Sequence, residues 1–321
     1  MWKFIVRRLL MMIPQLFILS VLVFMMAKAM PGDALGGREI DPRANPDVIE
    51  AQREKMGLND PWHEQYIRWV SNVSKGDWGV SYTHKVQVTD VIEDRIWNTV
   101  NLALLTLIFT YLIAIPLGLI SGRYSDSWID KVITGYTYIG FATPMFIFAI
   151  IMLFVFGFSL DLFPTGGSVN PTVEEGTFAY VLSKINHMIL PAFSTAIVST
   201  TVIIQYLRNE VIDNKMKDFV RTAKAKGVPE TNIYTHHVLR NSFLPIAAFL
   251  GYEITGLVGG AVIIETIFNY PGIGQLFLSS VHARDFSVVT AVVMMTGFAT
   301  LLGTLLSDII LSIVDPRIRI D

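Results

Sequence analysis

The sequence predicts an all-α membrane protein with six spanning helices, and three observations carry that reading. First, the 321-residue chain is 52% hydrophobic and only 16% charged, with a mean hydropathy of +0.49. A soluble domain carries about 25% charged residues. Second, the apolar residues gather into six runs close to the ~20 residues that cross a bilayer. Third, basic residues concentrate in alternate connections, the pattern of cytoplasmic loops. The formal net charge of −2 gives no attraction to nucleic acid. The chain has no cysteine, which excludes disulfides, thiolate metal sites and cysteine nucleophiles.

The first run is Leu9 to about Ala29, preceded by Lys3, Arg7 and Arg8. It is longer than the apolar core of a secretory signal, so a retained helix is expected, with Pro14 near its start. Residues 30–98 then form a hydrophilic loop. Asn45-Pro46 and Asp60-Pro61 are helix starts, and Gly57 ends the first of these helices. The helix opened by Asp60-Pro61 carries Trp62, Tyr66, Trp69 and Val73 on one face. Such a face suits a membrane interface or the core of the loop, and the loop core is the expectation. Val88 to Trp97 reads as an amphipathic lead-in to the second run, Thr99 to about Gly122.

A charged connection, Arg123 to Lys131, leads to the third run, Gly135 to Phe158, which contains Pro144. A loop follows over Ser159–His187. The fourth run is Met188–Leu207, the fifth is the glycine-rich Phe243–Ile267 and the sixth is Ser287–Val314. The positive-inside rule puts both termini, the 123–131 connection and the 208–242 segment in the cytoplasm. No internal repeat of the secondary-transporter kind is present.

The segment from Asp218 to Pro245 is the informative one. Arg221, Thr222, Ala223, Lys224, Ala225 and Lys226 form a short helix by propensity, stopped by Gly227 and followed by Pro229. So short a helix is unstable alone in water, so a packing partner is expected.

RTAKAKG followed by HVLRNSFLP resembles the coupling (EAA) loop of ABC importer permeases, in the form found in the oligopeptide, dipeptide and nickel group. Arg221, Thr222 and Ala223 stand at the Glu-Ala-Ala triplet and Gly227 at the glycine. Arg221 replaces the Glu, and Leu244-Pro245 lies further downstream than in the general pattern, both as in that group. FIVRRLLMMIP, MPGDAL, YIRWVSNVSKGDWGVSY, IETIFNYPGIGQL, ARDFSVV and DPRIR extend the resemblance over essentially the whole chain.

The resemblance implies a type I importer fold, with residues 1–29 as N-terminus and first helix and 30–98 as extracytoplasmic loop. Residues 99–321 are the five-helix core, with its coupling loop at 208–242. It implies a non-enzymatic subunit of a bacterial cytoplasmic-membrane importer of peptides, forming half of a translocation pore. Arg221, Thr222, Ala223, Lys224, Ala225, Lys226 and Gly227 would seat in the groove of a separate ATPase. The implied partners are a second, related permease chain, two ATPase subunits that bind the ATP, an extracytoplasmic substrate-binding protein, and lipid. A nickel or other small-solute importer is the near alternative. A self-contained channel or secondary transporter is the alternative from another class.

No ATP site is expected in this chain. Gly32 and Gly37 have the spacing of a phosphate-binding loop, but Arg38-Glu39 replaces the Lys-Ser/Thr that the chemistry needs. Glu253, Glu265 and Asp308 are ionisable residues in apolar runs, of the kind that face a bundle interior or water. Glu253 suits pore lining and interhelical packing equally, and with Gly256 and Gly260 it is the candidate pore lining; interhelical packing or a place near the interface is the expectation for the other two. Gly256-x-x-x-Gly260 also suits close helix approach. His236-His237 has no third ligand nearby in the sequence, and no cofactor is expected.

Overall fold

The computed structural model of the chain describes residues 2–29, 50–51, 54, 57, 59–243, 246 and 261–314. Among the described residues the structure is helical; one isolated antiparallel bridge, Val80 to Gln87, closes a turn. The first helix, α1 (Trp2–Ala29), runs through Pro14. Helix α2 (Trp62–Ser74) follows in the hydrophilic loop. The lead-in and second run form one 36-residue helix, α3 (Val88–Arg123).

The third run is not one straight helix. It divides into α4 (Trp128–Ala142) and α5 (Met145–Met152), which continues as a π-helical segment over Leu153–Ser159. The two halves are bent by 103°. Proline has no N–H to give the helix and drives the preceding residue to extended backbone. Thr143 has ψ 115° and Pro144 starts the new helix.

Helix α6 (Phe178–Lys215) extends the fourth run at both ends, and Thr177 caps its start by accepting from the Tyr180 N–H. Then come α7 (Asp218–Ala225), α8 (Glu230–Asn232), a π-helical segment (Ile233–Val238) and α9 (Leu239–Ser242). Past the fifth run, which lies largely outside the described residues, are α10 (Val262–Ile267), α11 (Ile273–His282) and α12 (Phe286–Val314). Among the described residues four helices are long and apolar enough to cross a membrane, or five if the bent α4–α5 pair is one span.

The most extensive pairing is between α3 and α6. It rests on Gly118 and Gly122, one turn apart on α3. A Cβ on Gly118 would stand 2.9 Å from Leu207 Cβ, and one on Gly122 would stand 2.6 Å from Val211 Cβ and 2.8 Å from the Arg208 carbonyl oxygen. This is the small-xxx-small approach that membrane helices use, here between α3 and α6. At the far end of the bundle α2 packs on α1. The rings of Tyr66 and Trp69 lie 5.4 and 5.9 Å from that of Phe24. The aromatic face of the loop helix therefore covers a membrane helix.

Replacing Gly122 by valine should push α3 from α6, at a cost of about 1–3 kcal/mol. Thermal unfolding in detergent should show a lower midpoint. Gly135→Ala, where a Cβ meets nothing within 4 Å, should leave the midpoint unchanged or raise it slightly.

Candidate functional site

The sequence places a short helix at Arg221–Lys226; the structure sets it at Asp218–Ala225 and explains its persistence. Asp218 in the first turn and Lys224 in the last complement the helix dipole. Val220 and Ala223, three apart, turn inward and are buried against Val211, Ile233, Tyr234 and Val238. The helix stops in a double hydrogen bond. The Gly227 N–H donates to the Lys224 oxygen (2.9 Å) and the Val228 N–H to the Ala223 oxygen (3.2 Å), which is the Schellman arrangement. Gly227 has φ +73°, a conformation that costs a side-chain-bearing residue about 1–2 kcal/mol.

Of the seven residues expected to meet a partner, Arg221, Thr222, Lys224, Ala225, Lys226 and Gly227 are exposed. Ala223 is not; it fills the chain's own core at 7% exposure. Its spacing from Val220 was the available signal, since i and i+3 share a helix face. The outward face is basic, with Arg221 loosely paired to Asp218 (3.7 Å).

Behind α7 the chain is tied together by polar contacts. The Arg123 guanidinium lies 5.0 Å over the Tyr234 ring and 4.9 Å over Tyr124, and 3.6 Å from the Glu230 carboxylate. Burial, and then the Glu230 charge, push the Tyr234 phenol above its ordinary pKa, against the opposing Arg123 charge. Asn214 of α6 donates to the Ser242 hydroxyl of α9 (3.0 Å). Lys215 donates to the Gly122 carbonyl (3.0 Å) and to Ser125 Oγ (2.6 Å).

The strongest tie is one that the sequence reading missed. Asp130, 2% exposed in the first turn of α4, accepts two hydrogen bonds from Arg208 of α6, each 2.7 Å. It also accepts from the Ser121 hydroxyl of α3, from the Asp126 N–H (2.8 Å) and from Thr134 Oγ1 (3.3 Å). A bidentate pair with its remaining lone pairs filled joins three helices. Asp130 and Arg208 are 78 residues apart, and no local pattern links them.

At the opposite end two carboxylates act as hubs. Glu265, fully buried, accepts from Thr99 Oγ1 (2.9 Å) and from the Gln275 N–H (2.9 Å). Thr99 Oγ1 in turn accepts from the Ile273 N–H (2.8 Å). The Tyr270–Gly274 turn wraps this carboxylate so tightly that a Cβ on Gly272 would stand 2.3 Å from Glu265 Cδ. Glu265 thus satisfies the start of α11. Asp285, also fully buried, accepts from Ser81 Oγ (2.6 Å) and the Thr83 N–H (3.0 Å), pinning the loop before α3 to the α11–α12 corner. Asp308 pairs with Arg8 across α12 and α1 at 2.9 Å. Glu253, Gly256 and Gly260 lie outside the described residues. His236 and His237 are exposed, and among the described residues no three His, Cys, Asp or Glu side chains gather as a metal site.

Comparison with known proteins adds three findings. The family described as binding-protein-dependent transport system inner membrane component matches residues 114–320, and its N-terminal domain matches residues 1–103. The oligopeptide transport system permease protein AppB of Bacillus subtilis (strain 168) is 38% identical over 320 residues, covering 99% of this chain and 100% of AppB. The glutathione transport system permease protein GsiC of Escherichia coli (strain K12) is 31% identical over 320 residues, covering 99% of each chain.

Asp130→Ala would leave the half-buried Arg208 without its counter-charge, at a cost of up to ~3 kcal/mol, the low end for a broken buried pair. The purified variant should unfold at a clearly lower temperature. The double variant Asp130→Leu/Arg208→Met should recover most of that loss, because it removes both charges.

Proposed function

The chain belongs to the family of binding-protein-dependent transport system inner membrane components, and from that membership we propose that it is a membrane subunit of an ATP-driven peptide importer. Two features support the cargo class: the named relatives are permeases of oligopeptide and glutathione transport systems, and the coupling segment has the form of the peptide group. A second, related permease completes the pore. A substrate-binding protein delivers cargo on the outer side. Two ATPase subunits bind the ATP on the inner side.

The observation that carries the coupling role is the two-sided character of α7. Its inner face, Val220 and Ala223, is fused to the core, and its outer face, Arg221, Thr222, Lys224, Ala225, Lys226 and Gly227, is open and basic. A groove with acidic rims on an ATPase complements that face. The helix packs on the π-helical segment, which in turn packs on α6 and takes Arg123 of α3 over Tyr234, while Lys215 ties α6 to α3. Closure of the ATPases would therefore move these helices as a body, the rigid-body class of switch.

The topology that serves this role has six spans, with the fifth formed by 243–267 and both termini in the cytoplasm. That orientation gathers Lys3, Arg7, Arg8, Arg123, Lys131, the 208–240 basic residues, Arg317 and Arg319 on one side. Glu253, Gly256 and Gly260 remain the proposed pore lining.

The charge-reversed variant Lys224→Glu/Lys226→Glu tests the coupling face. Both side chains are exposed, so the variant should accumulate normally and melt like the parent. Its uptake of labelled peptide by whole cells should fall about tenfold or more, the effect of about 1.4 kcal/mol lost at the contact. The ATPase encoded beside it should no longer co-purify. Full uptake and intact co-purification would refute the coupling assignment.

A further inference from the structure

Helix α2 has an apolar flank that the described residues leave uncovered. Tyr66, Trp69 and Val73 share the face turned to α1. Ile67 and Val70, which lie beside that face at about 100° per residue, are 64% and 36% exposed, and Trp62 at the helix start is 60% exposed. Glu64, Arg68 and Asn72, spaced by four residues, form the opposite flank and are exposed too. Arg68 is held there by Asp60. His63 and Ser74 sit towards the two ends of the apolar flank.

Single exposed apolar residues are ordinary on a water-facing surface. The depth of this helix makes them informative. The α1 span is Ile5–Ala29, and its uncharged stretch lies between Arg8, paired with Asp308, and Lys28. A hydrocarbon core of ~30 Å is twenty residues of helix, which that stretch matches with one boundary near Lys28. The Ser20 hydroxyl bonds the Tyr66 hydroxyl at 2.7 Å, and Ser20 is then about 12 Å inside that boundary. Phe24, which meets Tyr66 and Trp69, is about 6 Å inside. The rings of α2 therefore reach into the acyl region, and its axis lies close to the headgroup level, where Trp and Tyr accumulate. Interfacial helices bury their apolar faces about 5–10 Å deep. Alongside, α1 exposes Leu22, Met25 and Met26 at 55%, 49% and 66%, an apolar surface continuous with a lipid environment.

We infer that α2 is an interfacial helix, docked on α1 by Tyr66 and Trp69, whose Ile67–Val70 flank is covered by acyl chains of the adjoining leaflet. Its Glu64–Arg68–Asn72 flank faces water. The helix fixes the height of the hydrophilic loop against the membrane, whichever side that loop occupies.

The native chain has no cysteine, so single cysteines can be added without removing any. Ile67→Cys, Val70→Cys, Glu64→Cys and Asn72→Cys are spin-labelled one at a time. Each labelled chain, assembled with the proteins encoded beside it, is reconstituted in phosphatidylcholine–phosphatidylglycerol liposomes. The ratio of collisions with oxygen to collisions with a water-soluble nickel chelate is then measured. Positions 67 and 70 should show a ratio several-fold higher than 64 and 72. Two results overturn the inference: a ratio at 67 and 70 equal to that at 64 and 72, which puts the flank in water, or shielding of 67 and 70 from both reagents, which puts a protein partner on it.

Discussion

An eight-residue helix has no stability of its own in water, and the Asp218–Ala225 helix meets that constraint by burying Val220 and Ala223 in the chain's main core. The rest of that end of the molecule is arranged around the burial. The same core takes residues from α3, α4, α6 and the π-helical segment. The helix therefore cannot shift alone, because a core packed at crystal-like density has no slack to absorb the movement. Its exposed basic face is the outer surface of a packed unit rather than a loose loop.

Charge is handled by one rule at both ends. Each buried carboxylate is given several hydrogen-bond donors, which is what burial of a polar group demands. Asp130 receives Arg208, Ser121 and a backbone N–H. Asp285 receives Ser81 and Thr83, and Glu265 receives Thr99 and the start of α11. Glu265 and Asp308 are thus engaged in holding helices together, in line with the packing role expected of them.

Much of the fold was legible in the sequence because it rests on local signals. The apolar runs gave the spans of α1, α3, α6 and α12, Gly227 gave the stop of α7, and Val88–Trp97 gave the extension of α3. The bend at Pro144 was legible as a proline but not as a 103° break, because a proline within a membrane helix also occurs without one, as Pro14, Pro116 and Pro191 do here. The stop of α7 was readable from Gly227, whereas the inward turn of Ala223 depended on which face the core takes. The Asp130–Arg208 pair and the Thr99–Glu265 hub were not legible, since their partners lie 78 and 166 residues apart and nothing local marks them.

Helices α3 and α6 join the two ends. At about 1.5 Å per residue the 36 residues of α3 reach roughly 54 Å. Near its C-terminus α3 carries Gly118, Ser121 and Gly122, which meet α6 and Asp130. Towards its other end it carries Asn98 and Thr99, which hold the Tyr270–Gln275 turn through the Pro271 carbonyl and Glu265. In the proposed importer, a pull on α7 is thus applied at one end of a stiff element whose other end is fastened to the turn before α11. The glycines of that turn leave the Glu265 carboxylate no room to be passed by. In that importer the two ends would be coupled by geometry alone, without a relay of side-chain rearrangements along the apolar middle of the bundle.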